Sequence, residues 1–301
     1  MIKKDFIKSS SDGLKTELAY TIPKEKIKGI VQFSHGMSEH KERYYKFMEY
    51  LTENGYVCVI NDHRGHGNSV KDKKDLGYFY TEDTNFIVDD LHDVTLYIKN
   101  KYPNCKTYLF SHSMGTLVAR GYMQKYDNKI EKIILCGTPT KNPFTPFAIA
   151  MAYFFKIIGM GKKPNKILNY LTFNSYNKGH KSENEWLSKN PTNISIYNDD
   201  ELCGFTFTTN GFINLYKLLK RAFDEKLYKV RNKKLKIFLI AGANDPVIQN
   251  TKKFEQLEIF LNKLGYENTK SKLYPDLRHE ILNEEEYEQI YIDILEFIKG
   301  E

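Results

Sequence analysis

Short apolar runs alternate with amphipathic helical patterns along most of the chain. Between the apolar runs, side chains recur at helical spacing and predict helices over Tyr44–Asn54, Phe86–Lys101, Met114–Tyr126, Lys252–Leu264 and Glu284–Lys299. The apolar runs themselves predict strands over Leu14–Ile22, Ile27–Ser34, Tyr56–Asn61, Thr107–Phe110, Lys132–Cys136, Lys236–Ala241 and Lys270–Tyr274. Strands and helices that alternate at this spacing require parallel crossovers. The pattern therefore predicts an α/β fold with a mostly parallel sheet covered by helices on both faces.

The alternation is interrupted between about residues 142 and 210. This stretch has helical and loop-like patterns, punctuated by Pro143, Pro146, Pro164 and Pro191. We interpret it as a helical cap inserted over one edge of the sheet, within a single domain that spans residues 1–301. In an open parallel sheet the chemistry takes place beyond the carboxyl ends of the strands, so the loops after the strands are where a site is expected.

The net charge of +7 raises the question of an anionic partner. Only six of the 45 basic residues are arginine, and the lysines between residues 71 and 74 are interleaved with acidic residues. A nucleic-acid site would instead need a dense basic helix or an arginine-aromatic patch. We therefore expect no nucleic-acid partner, while weak contact with an anionic lipid surface stays open. The sequence does not define an oligomeric state.

The cysteines and the N-terminus bear on the cellular compartment. Cys58, Cys105, Cys136 and Cys203 form no CxxC pair, and the first eleven residues are polar, without the apolar core of a signal peptide. The longest apolar stretch, 147–155, is too short to span a bilayer. We expect a cytoplasmic protein, with peripheral contact at the inner membrane surface as the open alternative.

The segment from Ser111 to Gly115, with sequence SHSMG, lies between a predicted strand and a predicted helix. A serine hydroxyl is a poor nucleophile unless it is exposed, held rigidly and supplied with a base. A sharp strand-to-helix turn exposes it and requires small residues two positions to either side. Gly115 meets this requirement, and Ser111 stands where a glycine is usual. We expect Ser113 to be a nucleophile, the alternative being a serine that only caps the helix.

The turn His35-Gly36-Met37, after another predicted strand, can hold an oxyanion. Acyl transfer needs two backbone donors aimed at the tetrahedral oxygen. The N–H groups of Met37 and Met114 are the expected pair. The nearby histidines (His35, His40, His63 and His66) also allow a metal site, but their spacing lacks the motifs of zinc enzymes. We expect His35 to brace the turn, and we expect no metal and no cofactor.

Two further residues complete a catalytic triad. Asp245 follows one predicted strand and His279 follows the last one. A histidine so placed can take the serine proton, and a carboxylate can orient that histidine. Asp245 alone could equally cap the short helix that Pro246 would begin, and Asp276 is a rival third member. The order serine, aspartate, histidine, each after its own strand, nevertheless favours Asp245.

Taken together, these segments resemble the monoacylglycerol lipase and lysophospholipase branch of the α/β hydrolases, often grouped with the S33 serine aminopeptidases. The resemblance rests on the blocks HGMSEH (35–40) and DHRGHGNS (62–69), on Ser113-Met114-Gly115, and on the segments around Asp245 and His279. It implies the α/β-hydrolase fold, a Ser113–Asp245–His279 triad and an oxyanion hole formed by Met37 and Met114. The segment 200–205, DELCGF, also resembles bacterial lysophospholipase-like members.

The sequence says less about the class of substrate than about the catalytic residues. The stretch 144–161 is rich in apolar side chains, which a packed helix or an acyl-chain tunnel could use. We predict hydrolysis of monoacyl lipids, either monoacylglycerol or lysophospholipid, with general short-chain esters as the alternative. An aminopeptidase would need acidic residues in the cap, of which the available ones are Glu183, Glu185, Asp199, Asp200 and Glu201. A non-catalytic binding protein would be expected to lack a triad member.

Overall fold

Eight strands form one sheet in the order β1-β2-β4-β3-β5-β6-β7-β8. The computed structural model describes residues 1–300. Its strands are β1 Lys3–Lys8, β2 Lys15–Thr21, β3 Gly29–Ser34, β4 Tyr56–Asn61, β5 Thr107–His112, β6 Lys132–Cys136, β7 Lys236–Gly242 and β8 Asn268–Tyr274. From β4 through β8 all neighbouring strands are parallel, while β1 and β2 pair antiparallel with their neighbours. The predicted mostly parallel α/β sheet is confirmed.

The strand β1 was not predicted. It lies at the sheet edge and pairs with β2 from Lys3 opposite Tyr20 to Lys8 opposite Lys15. Its side chains are exposed or half-buried, so an apolar run is missing from its sequence. Pairing of its backbone with β2 therefore determines this strand, because an edge strand tolerates polar side chains on both faces.

Helices cover both faces of the sheet. They are α1 Tyr45–Glu53, α2 Thr84–Lys101, α3 Met114–Tyr126, α4 Thr145–Phe155, α5 Lys166–Phe173, α6 Pro191–Asp199, α7 Thr209–Ala222, α8 Thr251–Lys263 and α9 Tyr287–Lys299. Successive strand residues point to opposite faces, so Leu109 belongs to the apolar cluster that includes residues of α2, α3 and α8, and Phe110 belongs to the cluster that includes residues of α1 and α9. Within residues 1–300, no helix combines the length and hydropathy needed to cross a bilayer.

The segment between β6 and β7 holds four helices, and we call it the insertion (137–235). Helix α4 packs on α7 and continues into a π-helical turn at Lys156–Met160. Helix α7 begins near residue 210, where we expect the cap to end, runs to Ala222 and packs on α3. The insertion thus rests on the helix that follows β5.

Candidate active site

Ser113 occupies a strained turn between β5 and α3. Its φ of 51° and ψ of −123° are sparsely populated by residues other than glycine. Its N–H donates to the Cys136 carbonyl at 2.9 Å, which fixes the turn against β6. A Cβ on Gly115 would lie 2.2 Å from the Ser34 carbonyl oxygen, so glycine allows α3 to approach the end of β3. This geometry presents the Ser113 side chain beyond the end of the sheet.

Ser111 stands inside β5 rather than in the turn. It is buried, and its hydroxyl donates to the Ile134 carbonyl on β6 at 2.9 Å. Its backbone pairs in regular parallel register with Leu135. A serine fits here because its side chain satisfies its own hydrogen bond and the position requires no left-handed backbone.

Asp245 and His279 form a hydrogen-bonded pair at the carboxyl ends of β7 and β8. His279 Nδ1 lies 2.9 Å from Asp245 Oδ2, and both side chains are buried. Asp245 Oδ1 also accepts the Val247 N–H at 2.8 Å, so the carboxylate caps a helical turn and faces the histidine at once. The rival Asp276 lies on an exposed turn with φ of 60°. Because Asp245 holds Nδ1 of His279, the ring is oriented with Nε2 available for other contacts.

Ser113 and His279 line one cavity of about 630 Å³, together with Met37 and Met114. Within residues 1–300, no hydrogen bond joins the Ser113 hydroxyl to the His279 ring. Such bonds are often absent without substrate and form in the complex. The backbone N–H groups of Met37 and Met114 also make no hydrogen bond within the described residues. All five predicted site residues thus converge on one end of the sheet.

The cavity wall combines apolar and acidic side chains. Its apolar part comes largely from the insertion, with Phe147, Ala148, Met151, Leu215 and Leu219. Its carboxylates are Glu39, Glu183 and Glu280, its histidines are His112 and His279, and neither lysine nor arginine is among the described residues that line it.

Three of the four histidines near the oxyanion turn pack together as a structural group. The rings of His35 and His63 lie 4.4 Å apart, and His66 lies 5.2 Å from His35. His35 Nε2 accepts the His63 N–H at 2.9 Å, and its Nδ1 lies 2.8 Å from the Gly36 carbonyl. Burial lowers the pKa of His63 to about 3 and that of His66 to about 4. These neutral rings support the turn, as expected for His35.

The fourth histidine lies apart from that group. His40 Nε2 is 2.8 Å from Asp200 Oδ2, which links the turn to the insertion. With Cys203 this pair forms the one group of at least three histidine, cysteine or acidic residues in the described chain whose possible ligand atoms all lie within 4.8 Å of one another. His40 is the one member of the four histidines that belongs to this group.

Comparison with known proteins agrees with this architecture. A family profile described as serine aminopeptidase, S33, matches residues 25–286. The chain belongs to the S33 family. It is 21% identical to a monoacylglycerol lipase of Mycolicibacterium smegmatis over 278 residues, which cover 90% of this chain and 88% of the relative. The human monoglyceride lipase is 26% identical over 196 residues, 64% of this chain and 58% of the relative.

Solved structures give the same result for the fold. A thermostable carboxyl esterase from Bacillus coagulans, in complex with glycerol, superimposes with a TM-score of 0.90 at 25% identity, covering 99% of this chain and 98% of that one. The monoacylglycerol lipase of Paleococcus ferrophilus superimposes with a TM-score of 0.70 at 21% identity, over 93% and 97% of the two chains. The predicted α/β-hydrolase fold and the resemblance to the lipase and lysophospholipase branch are confirmed.

The acidic residues that an aminopeptidase would need do not converge in this S33-family protein. Glu183 lines the cavity, whereas Asp200 pairs with His40 and Glu185 accepts from the Ser182 hydroxyl. Asp199 accepts from the Ser195 hydroxyl at 3.1 Å. Of the five acidic residues named for that activity, Glu183 alone is among the described residues that line the cavity, together with Glu39 and Glu280 from outside the insertion.

Sequence reasoning missed one set of residues in this S33-family site. Glu39, Arg43, His112 and Glu280 form a buried polar network directly behind Ser113. The i,i+4 spacing of Glu39 and Arg43 was visible in the sequence. Their convergence with His112 and Glu280, which are far away along the chain, was not.

Proposed function

We propose that this protein is a serine carboxylic-ester hydrolase that releases a fatty acid from monoacylglycerol. The main support for the proposal is the hydrogen-bonded His279–Asp245 pair, because His279 lines the same cavity as the strained Ser113. Family membership supports it, as do relatives and structural neighbours named as lipases and esterases.

In the first half-reaction, His279 Nε2 takes the Ser113 hydroxyl proton as the oxygen attacks the ester carbonyl. The N–H groups of Met37 and Met114 donate to the oxyanion that forms. Collapse of this intermediate breaks the ester bond, and the imidazolium gives its proton to the departing alcohol. Asp245 keeps the ring in the required tautomer and stabilises the imidazolium.

In the second half-reaction, water replaces the alcohol. His279 takes a proton from the water as its oxygen attacks the acyl-enzyme, and the same two N–H groups hold the second oxyanion. The proton then returns to the Ser113 oxygen as the fatty acid leaves. No cofactor enters this scheme.

The absence of lysine and arginine from the described cavity lining favours a neutral head group. A phosphodiester would need a cation in the cavity, because burying an unpaired anion is costly. Glu39 and Glu280 are already paired with Arg43, and Glu183 adds a further carboxylate to the lining. Glycerol hydroxyls, in contrast, can donate to carboxylates. We therefore favour monoacylglycerol over lysophospholipid, and propose that the insertion acts as a cap whose apolar side chains hold the acyl chain.

The cavity mouth has features of a lipid-binding surface. Phe144 and Phe147 line the cavity and are 74% and 68% exposed, and the neighbouring Ile157 is 81% exposed. We call Phe144, Phe147, Phe154, Ile157 and Ile158 the apolar patch. Exposed lysines, Lys162, Lys163 and Lys166, follow it closely in the chain. We propose that this patch and these lysines make weak peripheral contact with an anionic lipid surface.

The four free thiols agree with a reducing, cytoplasmic location.

Replacing the nucleophile tests the catalytic part. Ser113→Ala should reduce turnover of p-nitrophenyl butyrate by a factor of roughly a thousand or more. Retention of more than a tenth of wild-type activity would refute the assignment. A fluorophosphonate probe should label the wild type and not the variant.

A substrate panel tests the class. We expect faster release of fatty acid from monoacylglycerols than from lysophosphatidylcholine, and faster turnover of long than of short esters. A preference for short esters would instead identify a general esterase. Cleavage of aminoacyl-naphthylamides without fatty-acid release would favour an aminopeptidase.

Vesicle sedimentation tests the lipid surface. Ile157→Asp should lower binding to phosphatidylglycerol vesicles several-fold, because it places a charge in the apolar patch. The matched control is Ile259→Asp on α8, where the isoleucine is 65% exposed outside that patch. Equal binding by both variants would contradict the proposed contact.

A further inference from the structure

His112 connects two loops that the proposed reaction needs. It is the last residue of β5, it is buried, and it directly precedes Ser113. Its Nδ1 lies 3.3 Å from Glu39 Oε1 in the segment after β3. Its Nε2 lies 3.3 Å from the backbone carbonyl oxygen of His279 in the loop after β8. One imidazole therefore spans the distance between the oxyanion turn and the loop that carries the base.

Both of its partners can only accept hydrogen bonds. A backbone carbonyl has no proton to donate, and a carboxylate is acceptor-only when it is ionised. Glu39 is surrounded by donors that favour the ionised form: its Oε1 accepts the Gly36 N–H and the Tyr44 hydroxyl, the latter at 2.8 Å. A neutral imidazole has one N–H and could satisfy only one of the two contacts.

We infer that His112 is held as an imidazolium that donates from both ring nitrogens, and that it is a positioning residue tying the oxyanion turn to the loop of His279. The inference rests on the proposed function for its catalytic consequence. The charge state itself follows from the hydrogen-bond partners alone.

The charges around His112 balance. Arg43 lies between the two carboxylates: its Nε is 3.3 Å from Glu39 Oε2, as an ion pair without hydrogen-bond alignment, and its Nη2 donates to Glu280. Three groups face the His112 ring. Glu39 comes from the segment after β3, and Glu280 and the ring of His279 come from the loop after β8. The centroids of the His112 and His279 rings lie 4.6 Å apart. With Glu39 and Glu280 ionised, Arg43 and a protonated His112 make this buried group of four neutral.

The pKa directions agree with this arrangement. Burial opposes the charged form of His112, but the hydrogen bond to Glu39 and the charges of Glu39 and Glu280 outweigh it and raise the pKa of His112. Burial also opposes ionisation of Glu39, yet His112 and Arg43 hold the pKa of Glu39 far below its usual range. Each member thus stabilises the charge of the other.

The link matters because both loops carry reacting groups. Glu39 holds the Gly36 N–H, which adjoins the Met37 donor, and the His279 carbonyl belongs to the proposed base. A displacement of about 1 Å between such groups can lower the rate about 100-fold. If His112 loses its proton at high pH, one of its two hydrogen bonds must break, and the two loops lose their common anchor.

The charge of His112 can be measured without any activity assay. In the full-length protein labelled with ¹⁵N-histidine, both ring nitrogens of His112 should resonate as protonated nitrogens at neutral pH. The signals are assigned by their absence from His112→Gln, and urea unfolding shows whether that variant keeps its fold. A neutral His112 at pH 7, with one unprotonated nitrogen, would overturn the inference even if the enzyme hydrolyses esters.

The positioning role has its own readout. Glu39→Gln keeps an acceptor for the Gly36 N–H but removes the charge, so the upper pH limit of kcat should move down by about one pH unit or more. His112→Gln should lower kcat about 100-fold with a smaller change in KM. His92→Gln, which alters a histidine stacked on Tyr126 and remote from the cavity lining, is the control.

The outcomes separate the two proposals. If Glu39→Gln and the wild type share the same upper pH limit, His112 does not act through its charge. If Ser113→Ala retains activity while the ¹⁵N spectrum shows a charged His112, the proposed function fails and the charge assignment stands.

Discussion

Replacing Gly115 by alanine should disrupt the candidate site through the backbone. The new Cβ would lie 2.2 Å from the Ser34 carbonyl oxygen and 2.4 Å from that of His35. Both obstacles are backbone atoms at the end of β3, so neither can rotate away. Since ordinary contact begins at 3.4 Å, the gap between α3 and β3 must widen by about 1.2 Å.

The magnitude follows from two opposing effects. Alanine in a helix is favoured over glycine by about 1 kcal/mol. Overpacking against fixed backbone costs about 1–3 kcal/mol, and this contact lies at the severe end of that range. We expect a net loss of about 2 kcal/mol in the free energy of unfolding. Because the shift carries Ser113 and the Met114 N–H with it, kcat should fall about 100-fold.

Urea unfolding and ester turnover measure both quantities on the same preparation. The matched control is Gly161→Ala, because Gly161 has helical dihedral angles and its Cβ would meet only Lys156 Cγ, at 3.6 Å. That variant should be as stable as the wild type or slightly more so. Wild-type stability together with turnover within threefold of wild type in Gly115→Ala would show that the close approach is not required.

Three further changes have expected outcomes. Ser111→Gly should lower the free energy of unfolding by about 1–2 kcal/mol, because it loses the hydrogen bond to the Ile134 carbonyl and gains chain entropy in the unfolded state. It should not raise kcat. Ser111→Ala, which keeps the Cβ, should lose less stability in the same unfolding assay. Asp245→Asn should reduce kcat about 10⁴-fold at nearly unchanged melting temperature, since the amide favours the wrong tautomer of His279. Neutral His66 has a folded pKa of about 4 against roughly 6.5 unfolded, so its contribution is complete above pH 6.5 and is lost as the pH falls towards 4. His66→Phe should therefore flatten the loss of stability between pH 6.5 and 4 by about 1.4 kcal/mol per pH unit, and an unchanged slope in urea titrations would contradict the buried neutral ring.

The buried parallel strands could be predicted because both of their faces are covered. Strands such as β4 and β6 are apolar at nearly every position. Asp245 and His279 follow β7 and β8, and the parallel pairing of these two strands brings both residues to the same edge of the sheet. The end of β5 was predicted two residues too early, at Phe110. Ser111 and His112 are polar yet buried, because hydrogen bonds to β6 and to the neighbouring loops satisfy them.

The network behind the nucleophile could not be read from the sequence. Glu39, His112 and Glu280 are isolated polar residues in three segments, and each alone is typical of an exposed loop. Their burial is tolerable only because each charge meets an opposite one, which is a property of the assembled sheet edge. The periodicity of apolar residues shows which face of a helix or strand is buried. It does not show which buried charges will pair.

The charge of this chain acts on lipid at two different distances. The net charge of +7 would draw the exposed surface towards an anionic bilayer, within a range of about 8 Å at physiological ionic strength. Inside the cavity that positive charge is absent, since no lysine or arginine is among the described residues that line it. Arg43 and His112 compensate Glu39 and Glu280, and Glu183 adds one further carboxylate. An anionic head group attracted to the surface would therefore find no lysine or arginine to pair with at the site, whereas a neutral monoacylglycerol dissolved in the same bilayer needs none. In the proposed function, anionic lipid is the surface on which the enzyme works and neutral lipid is its substrate.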